Sequence, residues 1–497
     1  MNQPIRRVAL FCFLLIVSLL VSSNYIQVVN ADSYKARPAN KRTTYDAFAY
    51  PRGKIITADG TVIADSKEVD GITLKYQRTY PQRSAYANIT GYKSPNGFGT
   101  WDLESIFDKF LQGTDSSESV ANFMDTLTGK SKKGGDVQLT LDNSVQQAAI
   151  AALKDRKGSV VALDPTTGAI LAMYSSPSFD PNPIASNDGD VAAPAAKALD
   201  ADKDKPKLNH ATRELYPPGS IFKVVTAAAA LDTGTFTETA STGADPLRFS
   251  VPGISVGVPN ENNARCGGTD LKTALAESCN SVYGFVGAKL GSTTMEEYAR
   301  KFGLNNADLK IPLPVVPSKF PTPDQVGSNQ LALAQDSIGQ RDTQITPLQA
   351  AMIAATVANG GTLMQPYLVA KETAPNGHVT YKGEDHRHVL SQAVSPQTAT
   401  ALDDMMQNVV TNGTASGNNL AIDGAHMGAK TGTAQRGPNQ NPLPWFISYA
   451  SIGDKHVAVG VLLQIDDSSI RDDISGSHFA GPVAKAVMEA ALGVGRH

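Results

Sequence analysis

Apolar and polar positions alternate along this chain with several distinct periods. Residues Val8 to Val29 form one uncharged stretch of 22, which as a helix spans about 33 Å at roughly 1.5 Å per residue. From Ser33 to about Asp136 short strand-like runs (Lys54 to Ile56, Thr61 to Ala64) mix with polar turns and one helical piece near Leu103 to Leu111. Lys130-Ser131-Lys132-Lys133-Gly134-Gly135 reads as a basic, glycine-ended linker. Beyond it Ser144 to Leu153 is periodic, and Val160 to Leu163 and Ala169 to Tyr174 are strand-like runs joined by a turn over Asp164-Pro165-Thr166-Thr167-Gly168. The next thirty or so residues, rich in Ala and Asp, read as surface connection up to Tyr216-Pro217-Pro218-Gly219. Ser220 to Leu231 is a buried helix with a glycine stop at Gly234. Thr346-Pro347 caps a second helix that runs through Val357 to Asn359-Gly360-Gly361. Ala429 to Ala434, Trp445 to Ala450 and Val457 to Ile465 are strand-like runs separated by turns and read as three antiparallel neighbours, and a last amphipathic helix covers about Phe479 to Leu492. Strands, helices, strands, helix is an α+β order, an antiparallel sheet covered by helices, preceded by a small mixed α/β accessory domain.

Composition narrows the function. The 44 Lys+Arg against 47 Asp+Glu leave a net charge of −3, which offers no long-range field for nucleic acid. Three cysteines and eight histidines show no C-x-x-C or H-E-x-x-H spacing, so neither a metal nor another cofactor is expected. Arg6 and Arg7 precede the apolar stretch and favour a cytoplasmic N-terminus with everything after Asp32 outside. A cleaved signal peptide is the other reading, supported by the small-residue shape of Val29-Asn30-Ala31. The length of the stretch favours a retained single-pass anchor, which divides the chain into a cytoplasmic tip (1–7), an anchor (8–29), an accessory domain (33–135) and a larger domain (136–497).

Ser220 and Lys223 stand at i and i+3 on one helix, so the two side chains share a face. A serine hydroxyl needs a base near neutral pH, and a lysine can serve once burial and nearby positive charge lower its pKa. The helix start adds unpaired N–H groups for a developing oxyanion. Ser278-Cys279-Asn280 is weaker, since the same S-x-N spacing recurs at Ser22, Ser94 and Ser416. Lys430-Thr431-Gly432-Thr433 places a cation and two hydroxyls beside a glycine on a predicted strand, a combination suited to a carboxylate. The N–H of Thr433 could then face that of Ser220 across a reacting carbonyl.

S-x-x-K, S-x-N and K-T-G, in that order, form the motif set of β-lactamases and penicillin-binding proteins. The chain resembles the class B penicillin-binding proteins over nearly its whole length, and among them most closely the actinobacterial penicillin-binding protein A group. The resemblance extends to Tyr216-Pro217-Pro218-Gly219-Ser220-Ile221-Phe222-Lys223, Ser337-Ile338-Gly339-Gln340, Thr346-Pro347-Leu348-Gln349 and Trp445-Phe446. In the outer domain Arg52-Gly53-Lys54-Ile55, with Asp59-Gly60 and Ile63-Ala64, is similar to the family's arginine-glycine segment. Thr57 and Ala58 depart from the Asp and Arg of many relatives, and His210 stands where Arg is usual.

The resemblance implies a serine β-lactamase/transpeptidase-like domain and a D,D-transpeptidase that cross-links peptidoglycan outside the cytoplasmic membrane. Ser220 would attack a D-Ala-D-Ala stem peptide, Lys223 would take its proton, and Ser278 would protonate the leaving D-Ala. Asn280 would position Lys223 and the donor backbone, while Lys430, Thr431 and Thr433 hold the substrate carboxylate. β-Lactam antibiotics would acylate the same serine, and a multipass glycan polymerase and other wall-synthesis proteins would be partners. A class A β-lactamase needs a deacylating glutamate between the second and third motifs, and no Glu occurs from Tyr298 to Lys371. The outer segment is too short for a glycosyltransferase domain. A D,D-carboxypeptidase and a catalytically dispensable scaffold remain as alternatives. Cys266 and Cys279 are thirteen positions apart in the exported part, so a disulfide between them is expected, pinning the loop that bears Ser278 and Asn280.

Overall fold

A computed structural model describes residues 3–30, 33–34, 41–71, 73–114, 133–437 and 440–494. The apolar N-terminal stretch is helical from Gln3 to Val29, has a mean hydropathy of 2.2 and buries none of its apolar window in the protein. Its exposed side chains include Phe11, Leu14, Ile16 and Leu20, an outer surface suited to lipid.

A five-stranded antiparallel sheet forms the larger body, in the order His426–Ala434, Leu443–Ile452, Lys455–Gln464, Lys157–Leu163, Ile170–Ser176. Every residue from Pro347 to Val357 is buried, the mark of a core helix rather than a surface one. That helix lies so close to the sheet that a Cβ on Gly460 would sit 2.6 Å from the Ala351 nitrogen. Asn143–Leu153 and Gly481–Leu492 pack on each other and on the same sheet. The chain between the strands Ile170–Ser176 and His426–Ala434 carries the remaining large helices, including Lys223–Asp232, Leu271–Ala276, Asn280–Leu290 and Gln330–Ser337.

The alanine-rich connection holds a helix, Gly189–Ala201, whose Asp188 side chain caps the Asp190 N–H. Ala192 and Ala196 are its buried positions. High alanine propensity and the cap outweigh Pro194, which lies inside it.

A second sheet of six strands runs in the order Val379–Lys382, Val369–Thr373, Asp136–Leu139, Ile55–Ile56, Val62–Glu68, Tyr76–Thr79. It therefore joins strands from before the linker to a hairpin far along the chain. Ile55 and Ile56 pair in parallel with Val137 and Gln138, and Glu372 pairs with Val137 from the other side. Lys130, Ser131 and Lys132 lie outside the described residues. The glycines that follow are packed rather than loose: Gly134 N–H donates to Pro51 O at 3.2 Å and Gly135 N–H to Phe110 O at 3.1 Å. A Cβ on Gly53 would meet Gly135 O at 1.8 Å, so both strands of this crossing need glycine.

Glu104 holds the outer part together. Its fully buried carboxylate accepts from Arg52 Nε at 2.6 Å, Arg78 Nε at 2.5 Å and Tyr80 OH at 3.2 Å. Burial pulls the carboxyl pKa up, but Arg78 and Arg52 outweigh it and hold it at about 2. The stabilisation is thus present above the ordinary value of 4.5 and is lost as pH falls through about 2. Replacing Glu104 by Gln takes the counter-charge from the buried Arg78 guanidinium and leaves Arg52 with Asp108, and should cost about 3 kcal/mol. Urea unfolding of the Glu104→Gln and native chains at neutral pH measures this, and equal midpoints would contradict it.

Candidate active site

Ser220 lies not in the α-helix but in a 3-10 turn, Gly219–Phe222, that leads into the helix Lys223–Asp232. Side chains at i and i+3 eclipse in a 3-10 turn, so the Ser220 hydroxyl and the Lys223 ammonium are stacked on one side. Gly219 has φ +57°, a backbone conformation that suits glycine. A Cβ there would lie 3.1 Å from the Ala434 backbone. The turn is seated on Trp445, whose indole N–H donates to Pro217 O at 2.9 Å.

Gly432 explains the glycine of the third motif. A Cβ on it would meet Ile221 Cγ2 at 3.0 Å and Pro218 O at 3.1 Å, so the strand His426–Ala434 approaches the nucleophile turn backbone to backbone. Among the described residues this is an edge strand, paired only with Leu443–Ile452, with Gly432 opposite Trp445.

Ser278 has φ +62°, rare for a residue other than glycine. That conformation ends the Leu271–Ala276 helix and turns both the carbonyl and the hydroxyl of Ser278 toward Lys223. Lys223 Nζ donates to Ser278 O at 2.5 Å and to Asn280 Oδ1 at 2.8 Å, and lies 3.2 Å from Ser278 Oγ. Lys430 Nζ reaches the same hydroxyl at 3.0 Å and Thr431 O at 3.0 Å. Both lysines are completely buried. Burial pushes the Lys223 pKa well below its ordinary range, the Lys430 charge lowers it further, and Glu261 opposes both. Burial likewise brings Lys430 down to about 7, again against Glu261. A neutral Lys223 beside a serine is a competent base.

These groups border a cleft of about 700 Å³ lined by Ser220, Ser278, Asn280 and Thr433, with Glu261 and Arg341 on its walls. Lys223, Lys430, Thr431 and Gly432 do not line it. The two lysines act from beneath Ser278, and Gly432 is packed against the nucleophile turn. The Thr431 hydroxyl is engaged with Thr414 Oγ1 at 2.7 Å.

Cys266 and Cys279 are joined by a disulfide with Cα atoms 6.1 Å apart, tying the loop after Glu261 to the middle of the S-x-N element. Asn260 supports the same junction: its side chain donates to Pro246 O and Ala264 O and accepts the Ser281 N–H at 2.8 Å. Asn280 Nδ2 donates to Pro259 O at 3.1 Å. Nothing in the sequence marks Asn260, Glu261 or Thr414 as site residues. Thr414 even stands in Asn412-Gly413-Thr414, which matches a glycosylation pattern. Its N–H donates to Ala276 O at 3.0 Å, so this turn clamps the helix that leads into the S-x-N element to the K-T-G strand. No local signal marks it, because its role comes from an approach between segments distant in sequence.

Comparison with known proteins agrees with this geometry. Residues 158–489 match the family model for the penicillin binding protein transpeptidase domain, and residues 52–137 match that for the penicillin binding protein A dimerisation domain. The chain is 39% identical to the peptidoglycan D,D-transpeptidase PbpA of Mycolicibacterium smegmatis and 38% identical to that of Mycobacterium tuberculosis, covering 99% of this chain and 99% of each relative. Among solved structures it superposes on penicillin-binding protein A from M. tuberculosis in a ceftriaxone acyl-enzyme complex with a TM-score of 0.83 at 36% identity, covering 90% of this chain and 100% of that one. The D,D-transpeptidase domain of a peptidoglycan glycosyltransferase from Eggerthella lenta gives a TM-score of 0.75 at 31% identity, over 89% and 98% of the two chains. With a transpeptidase fold, a preceding dimerisation domain and full-length relatives of the same kind, the chain belongs to the penicillin-binding protein family.

Proposed function

We infer that this chain is a peptidoglycan D,D-transpeptidase of the serine type, monofunctional and acylated by β-lactams. The observation that carries the reading is the convergence of two fully buried lysines on the Ser278 hydroxyl, next to a serine that opens onto the cleft. Ser220 Oγ attacks the carbonyl of the penultimate D-Ala while its proton passes to Lys223 Nζ. The tetrahedral oxyanion receives the N–H groups of Ser220 and Thr433. The C–N bond to the terminal D-Ala breaks as Ser278 delivers a proton to the departing amine, and Lys430 and Lys223 restore it. Asn280 orients Lys223 and the donor backbone. The substrate carboxylate meets the Thr433 hydroxyl, with the charge of Lys430 behind it and Thr431 ordering the strand. A stem amine from a neighbouring strand then attacks the acyl-enzyme and regenerates Ser220.

The apolar helix anchors the protein in the cell membrane as a single pass. Arg6 and Arg7 in its first two turns favour an N-terminus in the cytoplasm and a catalytic body outside. The division runs as anchor, accessory domain (33–135) and transpeptidase domain (136–497). A multipass glycan polymerase is the expected partner, since cross-linking needs freshly made strands.

β-Lactam labelling of the full-length chain, detected by intact mass, tests the assignment. A single adduct lasting many minutes and missing from Ser220→Ala is expected. Loss of the adduct within seconds would mean a β-lactamase, and no adduct on the native chain would favour a scaffold. The pH profile of labelling tests the base. Its acid limb reports Lys223, so Lys430→Gln, which removes a like charge, should move the limb to higher pH. Glu261→Gln removes an opposite charge and should move it to lower pH. Shifts in one direction for both variants would exclude Lys223 as the titrating base. Finally, thiol titration of the unfolded chain should find one free thiol, Cys12, without reductant and three with it. Three without reductant would remove the disulfide from the account.

A further inference from the structure

The turn that follows the Gln330–Ser337 helix lies directly against the nucleophile turn, yet none of its side chains enters the chemistry above. Gly219 N–H donates to Gly339 O at 2.8 Å, one residue before Ser220. Gly339 has φ +77°, and a Cβ on it would meet Gly219 O at 2.1 Å. Tyr216 and Ile345 exchange a pair of backbone hydrogen bonds at 2.9 and 2.8 Å. Thr226, on the nucleophile helix, donates its hydroxyl to Ser337 O at 2.6 Å. The segment 337–345 is therefore the bed on which residues 216–226 lie.

What shapes that bed is Asp336, which has no exposed surface. Its Oδ1 accepts the Asp342 N–H at 2.9 Å, and its Oδ2 lies 3.5 Å from an Arg341 guanidinium nitrogen. Its carbonyl accepts the Gly339 N–H at 2.9 Å and the Thr343 hydroxyl at 3.0 Å. Arg341 is held at φ +58° on the cleft wall, where an arginine pays a conformational penalty unless its surroundings impose it. Arg341 and Asp342 are the charged groups that face the carboxylate.

We propose that Asp336 is a positioning residue for the acylation step: by folding residues 338–343 back onto the helix end, it fixes the Gly339 carbonyl that anchors Gly219 and so sets Ser220 against Lys223. The inference rests on the transpeptidase reading and names a residue of that site that touches neither substrate nor Ser220. Burial is the main reason its carboxyl is raised to about 6, against the Asp342 N–H and Arg341, so an acid is kept here in a setting that does not favour its charge. Small displacements of a nucleophile cost rate rather than affinity.

The test follows β-lactam acylation of the full-length chain in detergent by intact mass, separating the rate at saturating drug from the half-saturating concentration. Asp336→Ala should lower the saturating rate about tenfold or more, with the half-saturating concentration changed less than about threefold. Asp336→Asn keeps an oxygen for the Asp342 N–H and should stay within about threefold of native. A native saturating rate for Asp336→Ala, or equal losses in the Ala and Asn variants, would overturn the proposal. Should Asp336→Ala fail to fold, Thr343→Val, which removes the hydroxyl bonded to the Asp336 backbone carbonyl and so another tie in the same turn, must slow the saturating rate; a native rate there would also overturn it. If the native chain itself forms no Ser220 adduct, the transpeptidase reading fails instead.

Discussion

Removing two lysine side chains from water beside one serine hydroxyl is unfavourable unless each N–H finds an acceptor and at least one charge is relinquished. Lys223 meets that condition through the carbonyl and hydroxyl of Ser278 and the amide oxygen of Asn280, and Lys430 through the same Ser278 hydroxyl and the Thr431 carbonyl. The left-handed backbone at Ser278 is what presents the carbonyl and hydroxyl together. Much of the surrounding architecture can be understood as holding that element still. The disulfide, Asn260 and the Thr414 turn approach it from three directions. Burial first, and repulsion between the two lysines second, then supply the lowered basicity that the nucleophile requires.

Close backbone approach is the second constraint. The nucleophile turn is squeezed between the edge strand and the turn after Ser337, and both contacts are possible because the facing residues are glycines: Gly432 on one side, Gly219 against Gly339 on the other. Side chains at these positions would push the strand or the turn out of hydrogen-bonding range. Among the described residues the arrangement leaves the outer edge of the strand unpaired by another strand, open to an extended ligand.

The outer part is organised by a different device, a buried carboxylate shared by two arginines. Asp136–Leu139 adds to its sheet, and the hairpin of Val369–Thr373 and Val379–Lys382 extends it further. The accessory and catalytic parts are consequently joined through a continuous set of backbone hydrogen bonds rather than through a linker alone.

The sequence by itself determined the elements and the chemistry they carry. Long apolar runs, cap residues such as Thr346 and strand-like runs bounded by turns are local signals, and the three motifs name their residue types outright. It misjudged the segment around Gly189–Ala201, where alanine propensity hides without a strong apolar face, and it did not reveal the hairpin that joins the outer sheet. Tertiary structure alone decided which oxygens meet Lys223, that Lys430 works from beneath Ser278, and that Asn260, Glu261, Thr414 and Asp336 belong near the site. The physical reason is that acidity, burial and hydrogen-bond partners are properties of atoms brought together from distant segments. Lys223 and Asn280 are 57 positions apart yet 2.8 Å from nitrogen to oxygen, a relation that no local spacing in the chain encodes.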